Sequence, residues 1–173
     1  ANFEIAANTL TNTDGKIQHA GTGALSITAD TLSSVRGQVV SNNNIALTIG
    51  TQLNNTQGSV YAHTDLTLTS TGSITNTGFI AAQGNATLSA NSLSSSSTGV
   101  LGAGIKADGT LANSGDLKIT TTQALNANGQ NLAAGNTTLS GSSVNLSGSQ
   151  TGGTNIGITA SSGDVDTSNA AVA

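Results

Sequence analysis

Residues 53–93 read LNNTQGSVYAHTDLTLTSTGSITNTGFIAAQGNATLSANSL. One phrase is written there twice. Leu53-Asn54-Asn55, Gly58, Val60, Ala62 and Leu66-Thr67-Leu68 are answered by Ile74-Thr75-Asn76, Gly78, Ile80, Ala82 and Ala86-Thr87-Leu88. Each copy has an apolar residue two before an Asn, a Gly turn, a short alternating run, a polar turn and a second alternating run. Alternation at period two puts one set of side chains on one face of a strand. A repeat fixed at about 20 residues marks a solenoid.

Two earlier copies extend the pattern. One runs Leu10-Thr11-Asn12, Asp14-Gly15, Ile17 and Leu25 to Ala29; the next runs Leu32-Ser33-Ser34, Gly37, Val39, Ser41 and Ile45-Ala46-Leu47. The leading residues Leu10, Leu32, Leu53, Ile74 and Leu93 are about 22, 21, 21 and 19 positions apart. Three more columns keep step: Ile17, Val39, Val60, Ile80; Leu25, Ile45, Leu66, Ala86; and Ile27, Leu47, Leu68, Leu88. Asp14-Gly15, Asp108-Gly109 and Asn128-Gly129 would suit two-residue hairpin turns. Hairpins do not predict like residues every 21 positions, whereas parallel strands stacked about 4.8 Å apart do. The expected fold is therefore all-β: a parallel β-helix (solenoid) with about 21 residues per rung, right-handed by the crossover rule. Asn12, Asn55 and Asn76, with Ser34 and Ser95 in the other copies, would form a polar ladder at one corner.

The copies divide the chain into regular repeats at 1–93, an irregular rung or loop at 94–124, and looser repeats at 125–173. In the middle stretch the phrase reads as resuming at Leu111-Ala112-Asn113, Gly115, Leu117 and Ile119. Beyond it, Leu125, Leu132, Leu139 and Leu146 fall seven apart. Gly129, Gly135, Gly141 and Gly148 argue against a coiled coil there. Three faces of about seven residues per rung explain the spacing instead. The tail, Ser168 to Ala173, reads as frayed.

Composition fits a solenoid. Apolar residues make up 35% of the 173 residues, aromatics 2% and charged residues 7%. A rung packs only on its neighbours, so few large rings are needed. The net charge is −4 with no basic cluster, which disfavours nucleic acid and anionic membranes. There is no Cys, hence no disulfide framework, and no Pro, which central strands exclude. With no Met and no secretory leader, the chain reads as a processed or excised fragment.

Polysaccharide-cleaving enzymes also use β-helices, and in such an enzyme paired carboxylates serve as acid and base. Asp164 and Asp166 are two apart and share a strand face, but a glycosidase needs a defined gap inside a cleft. Asp14, Asp30, Asp65, Asp108 and Asp116 fall at different repeat positions, mostly turns, and Glu4 stands alone. His19 and His63 are about two rungs apart and too few for a metal. Thr67 and Thr69, with Thr120 to Thr122, suggest an ice-binding threonine array, but the Thr-x-Thr pattern is incomplete in the other copies. The sequons at Asn54, Asn85, Asn136 and Asn145 are expected by chance in an Asn-rich chain. Tyr61 and Arg36 are candidate carbohydrate contacts. No catalytic, cofactor or metal site is expected, and the chain is read as non-enzymatic.

Residues 66–88, LTLTSTGSITNTGFIAAQGNATL, closely resemble the haemagglutinin repeat of filamentous haemagglutinin-type exoproteins. These are the secreted partners of bacterial two-partner secretion and include adhesins and contact-dependent inhibition effectors. The resemblance covers Ile5 to Leu93 well and Leu125 to Val165 more loosely. It implies a shaft segment of a secreted filament at the bacterial cell surface. Its implied partners are a receptor or glycan on a host or neighbouring cell, and an outer-membrane secretion pore during export.

Overall fold

A computed structural model describes residues 1–173. There is no helix; 21 strands form about eight laps of a parallel β-solenoid. Each lap has three faces. In the lap from Leu66 they are Leu66–Ser70, Ser73–Asn76 and Phe79–Ala82. Earlier laps run the first two faces together, as in Ile45–Asn55. All strand-to-strand pairings are parallel, and backbone amides reach the next lap as Leu25 N–H to Asn44 C=O (3.0 Å) and Leu66 N–H to Asn85 C=O (2.9 Å).

The aliphatic columns read from the sequence stack as files in the core. Leu32 pairs with Leu53, Leu53 with Ile74, Ile74 with Leu93, and Leu93 with Leu125. The file Ile27, Leu47, Leu68, Leu88, Ile119 and Leu139 is buried, and Ile5 and Ile158 close its ends half-covered. The period-two pattern produces this arrangement: in Leu66–Ser70 the first, third and fifth residues are buried and the two between them are exposed.

The corner between the second and third faces needs a tight turn. Asp14, Arg36 and Gln57 take left-handed backbone there, with φ of 53°, 52° and 54°. The next residue is Gly in each case; a Cβ on Gly58 would lie 2.1 Å from the Ser34 carbonyl oxygen one lap away. Only a residue without a side chain lets successive laps approach so closely.

Three readings change. Leu111 does not lead a new lap. Leu93 pairs with Leu125, and Leu117 belongs to the file of Leu66 and Ala86. The strand Val100–Ala103 is regular, and the added residues form a small antiparallel excursion with Ile105 bridged to Leu111 across the Asp108-Gly109 turn. Leu111-Ala112-Asn113 imitates the phrase, but Leu111 is 55% exposed. Second, the seven-residue leucines do mark successive faces, yet Leu132 points outward while Leu125, Leu139 and Leu146 are buried. Third, the tail read as frayed has Ala171 and Val172 paired with Gln150 and Thr151.

Candidate functional site

Two polar ladders line the rod. The first is the expected corner column. Asn12 Nδ2 donates to Ser34 Oγ (3.2 Å), Asn55 Nδ2 to Asn76 Oδ1 (2.9 Å), and Asn76 Nδ2 to Ser95 Oγ (3.2 Å). The same amides also reach backbone carbonyls of the following face, as Asn76 does at Val100 (3.1 Å). Beyond Ser95 the column turns apolar, with Ala127 stacked on Ser95 and Leu146 buried one lap further. The neighbouring file turns polar at the same laps. Asn131 takes the place of Leu101, and its Nδ2 donates to Ala127 C=O (2.9 Å) and Thr151 Oγ1 (3.0 Å). Polar and apolar positions exchange corners, so the core keeps both.

The second ladder lies at the residue before the first face. Asn44 Oδ1 accepts the Asp65 amide (3.2 Å), Asp65 Oδ1 accepts that of Asn85 (2.7 Å), Asn85 Oδ1 that of Asp116 (3.0 Å), and Asp116 Oδ1 that of Asn136 (2.7 Å). Asp65 and Asp116, expected at different repeat positions, thus share one position, two laps apart, and are structural. So are the sequon residues Asn85 and Asn136, whereas Asn54 and Asn145 cap their own turns through Thr56 and Ser147.

The outer side of the third face carries a concave groove. Its outward column runs Gln18, Val40, Tyr61, Ala81, Gly102 and Leu132. The excursion after Ala103 folds back over it. Ile105 packs on Tyr61 and Ala81, and the Tyr61 hydroxyl donates to the Ile105 carbonyl (2.9 Å). Gly102 makes this possible, since a Cβ there would sit 2.1 Å from Ile105 Cδ1. Beside the contact lies a cavity of about 280 Å3 lined by Gln38, Val40, Ser59, Tyr61, Phe79, Lys106 and Ala107. Tyr61 sits 6.1 Å from Phe79 and 5.0 Å from His63, ring centre to ring centre. Burial, aided by the negative charge of Asp108, raises the Tyr61 phenol above its ordinary 10.0.

The other candidates remain apart. Arg36 is an exposed partner of Asp14, donating from Nε and from a terminal nitrogen at 2.7 Å each, and that hydrogen bond holds the Asp14 carboxyl below its ordinary range. His19 lies against Phe3 on an early lap, its buried Nε2 without a hydrogen-bond partner, and His63 packs on Tyr61; no three metal-ligating side chains cluster. Asp164 and Asp166 are exposed on the last lap, where the Ser168 hydroxyl, and after it the Ser168 amide (2.8 Å), hold the Asp166 carboxyl below its ordinary range. They line none of the three cavities. The threonine array is half-built. One outward column of the first face is all hydroxyl from Thr28 through Thr48, Thr69, Ser89, Thr120 and Ser140 to Thr159, but its companion is broken by Ala46, Lys118 and Gly157.

The fold defines a parallel β-solenoid rod. Among known proteins, the chain is 45% identical over 167 residues to Toxin CdiA of Yersinia pestis, an alignment covering 91% of this chain and 5% of that protein. It is 53% identical over 76 residues to tRNA nuclease CdiA-2 of Burkholderia pseudomallei (strain 1026b), covering 43% of this chain and 2% of that one. The chain therefore spans about one-twentieth or less of the curated relatives it matches. No family model and no solved structure matches it.

Proposed function

We propose that this chain is a shaft segment of a large secreted protein of the two-partner, contact-dependent inhibition type. In that role it holds a delivery or adhesive module away from the cell. The observation that supports this best is the parallel lap-to-lap stacking, which resumes after a bulge between Ala29 and Thr31 and after the excursion beyond Ala103, so that each rung is held by its neighbours and the rod can be of any length. The similarity to Toxin CdiA along nearly the whole chain favours an effector shaft. An outer-membrane pore during export, and a receptor or glycan on the neighbouring cell, are the partners such a role requires. Long Ser, Thr and Asn faces would add weak multivalent contacts.

The nuclease activity in one relative's name belongs to that protein, and the alignment to it covers 43% of this chain. The shaft reading gives the segment a mechanical role, and none of its carboxylates lines one of the three cavities. Excising the eight laps from the polypeptide that carries them should shorten the surface fibre by about 38 Å, at about 4.8 Å per lap, with secretion intact. Cleavage of tRNA or of polysaccharide by the purified 173-residue chain, abolished by Asp164→Asn, would overturn the shaft reading.

A further inference from the structure

The cavity beside Tyr61 differs from the rest of the rod in three ways. Tyr61 and Phe79 are two of the chain's three Tyr and Phe residues, and both line it. Gln38, Ser59 and Lys106 stand at its rim, and their side chains are not spent on other groups of the chain. Charge also gathers there. Lys106 lines the cavity and Lys16 pairs in register with Gln38, while Arg36, two residues before Gln38, is taken up by Asp14. With Asp14 and Asp108 counted against these cations, the region has a balance of +1, against −5 for the remainder of the chain.

A ring-lined floor with free donors and a cation at the rim has a specific chemical complement. A pyranose presents an apolar C–H face to stack on aromatic rings and hydroxyls to meet polar groups around its edge. A carboxylate on that ring would answer the lysine with a charge-assisted hydrogen bond. The cavity, at about 280 Å3, lies at the low end of small-ligand pockets and suits a single ring.

We infer that the groove between the Tyr61–Phe79 pair and Lys106 is a binding site for one uronic-acid unit of an acidic glycan. The sugar ring lies on Phe79, with the largely buried Tyr61 beside it backing the floor. Its carboxylate faces Lys106, with Lys16 adding attraction, and Gln38 and Ser59 take hydroxyls. The excursion that carries Lys106 is docked by Ile105 and by the Tyr61 hydroxyl, so the insertion both builds one wall and supplies the charge. Such a site is independent of the rod's mechanical role: a shaft does not require it, and a failed shaft reading would not remove it.

Titrating the full chain with trigalacturonate and following backbone amide shifts by NMR tests the site. Saturable shifts at Gln38, Ser59, Phe79 and Lys106 at millimolar ligand are expected. Neutral maltotriose should bind about tenfold more weakly or not at all. Lys106→Gln, an exposed change that leaves the fold intact by circular dichroism, should remove the preference for the acidic sugar. Phe79→Ala should remove binding of both sugars. No saturable shift, equal response to the two sugars, or shifts at Lys118 as large as those at Lys106 would overturn the assignment. So would a response to acidic peptides equal to that to the sugar.

Discussion

Asn76 shows how much one side chain holds in this fold. It is buried, receives hydrogen bonds from Asn55 Nδ2 (2.9 Å) and its own turn's Gly78 amide (3.2 Å), and donates to two groups of the next lap. Asn76→Ala strands those partners, so denaturant unfolding should show a loss of about 1–3 kcal/mol. This ladder was legible because its residues keep one offset from the leading aliphatic in every early copy. The second ladder was not, although it has a signal: an Asn or Asp directly before the first face at Asn44, Asp65, Asn85, Asp116 and Asn136. An Asx residue before a strand is so ordinary in turns that only the lap-to-lap hydrogen bonds set these apart. The exchange of Asn131 for Ala127 was hidden for a different reason: each column taken alone just looks broken.

Tyr61 offers a second test at this scale, because it is the sole tyrosine and the chain has no tryptophan. Its folded pKa is raised by burial, so the neutral phenol contributes stability that is complete below the ordinary value of 10.0 and is lost as pH rises through the raised one. Absorbance titration of phenolate should give a midpoint above 10.0, and that shift should vanish in denaturant. A midpoint at or below the ordinary value would mean that the ring is not covered.

At the scale of elements, the excursion after Ala103 is a larger departure from regular laps than the bulge at which the register shifts between Ala29 and Thr31, and it is the least legible part of the chain. Leu111-Ala112-Asn113 carries the right letters for a lap. What it lacks is a partner in the Leu93 and Leu125 file, and sequence spacing does not show that absence. Docking depends on Gly102 leaving room for Ile105. Gly102→Val should therefore release the excursion while the parallel laps persist. Amide exchange at Ile105 and Ala112, whose N–H groups bond Ala82 and Gly104 carbonyls, should speed up well before that of Leu68. Uniform acceleration along the chain would show instead that the excursion and laps form one unit. The candidate groove shares this illegibility: Tyr61 was singled out, but its companions Phe79 and Lys106 come together only when the insertion folds back.

For the whole molecule, stability resides in the files. Leu68 is fully buried between Leu47 and Leu88, and Leu68→Ala should cost about 2–5 kcal/mol. The terminal laps are half-covered by comparison, with Phe3 38% and Val165 44% exposed. The same truncation at Ile5 should cost much less, as a comparison of the two variants by denaturation would show. The architecture was read at this scale because a solenoid repeats its core in sequence: every lap is a separate statement of the same pattern.

Distances along one outward column test that architecture most directly. Thr28, Thr48, Thr69 and Thr159 stand in register on exposed positions of the first face. Spin labels paired between Thr159→Cys and each of Thr28→Cys, Thr48→Cys and Thr69→Cys, read by electron–electron resonance, should give about 29, 24 and 19 Å, a steady step of about 4.8 Å per lap. Distances that fail to fall in order, or that alternate as antiparallel hairpins require, would contradict the parallel stack.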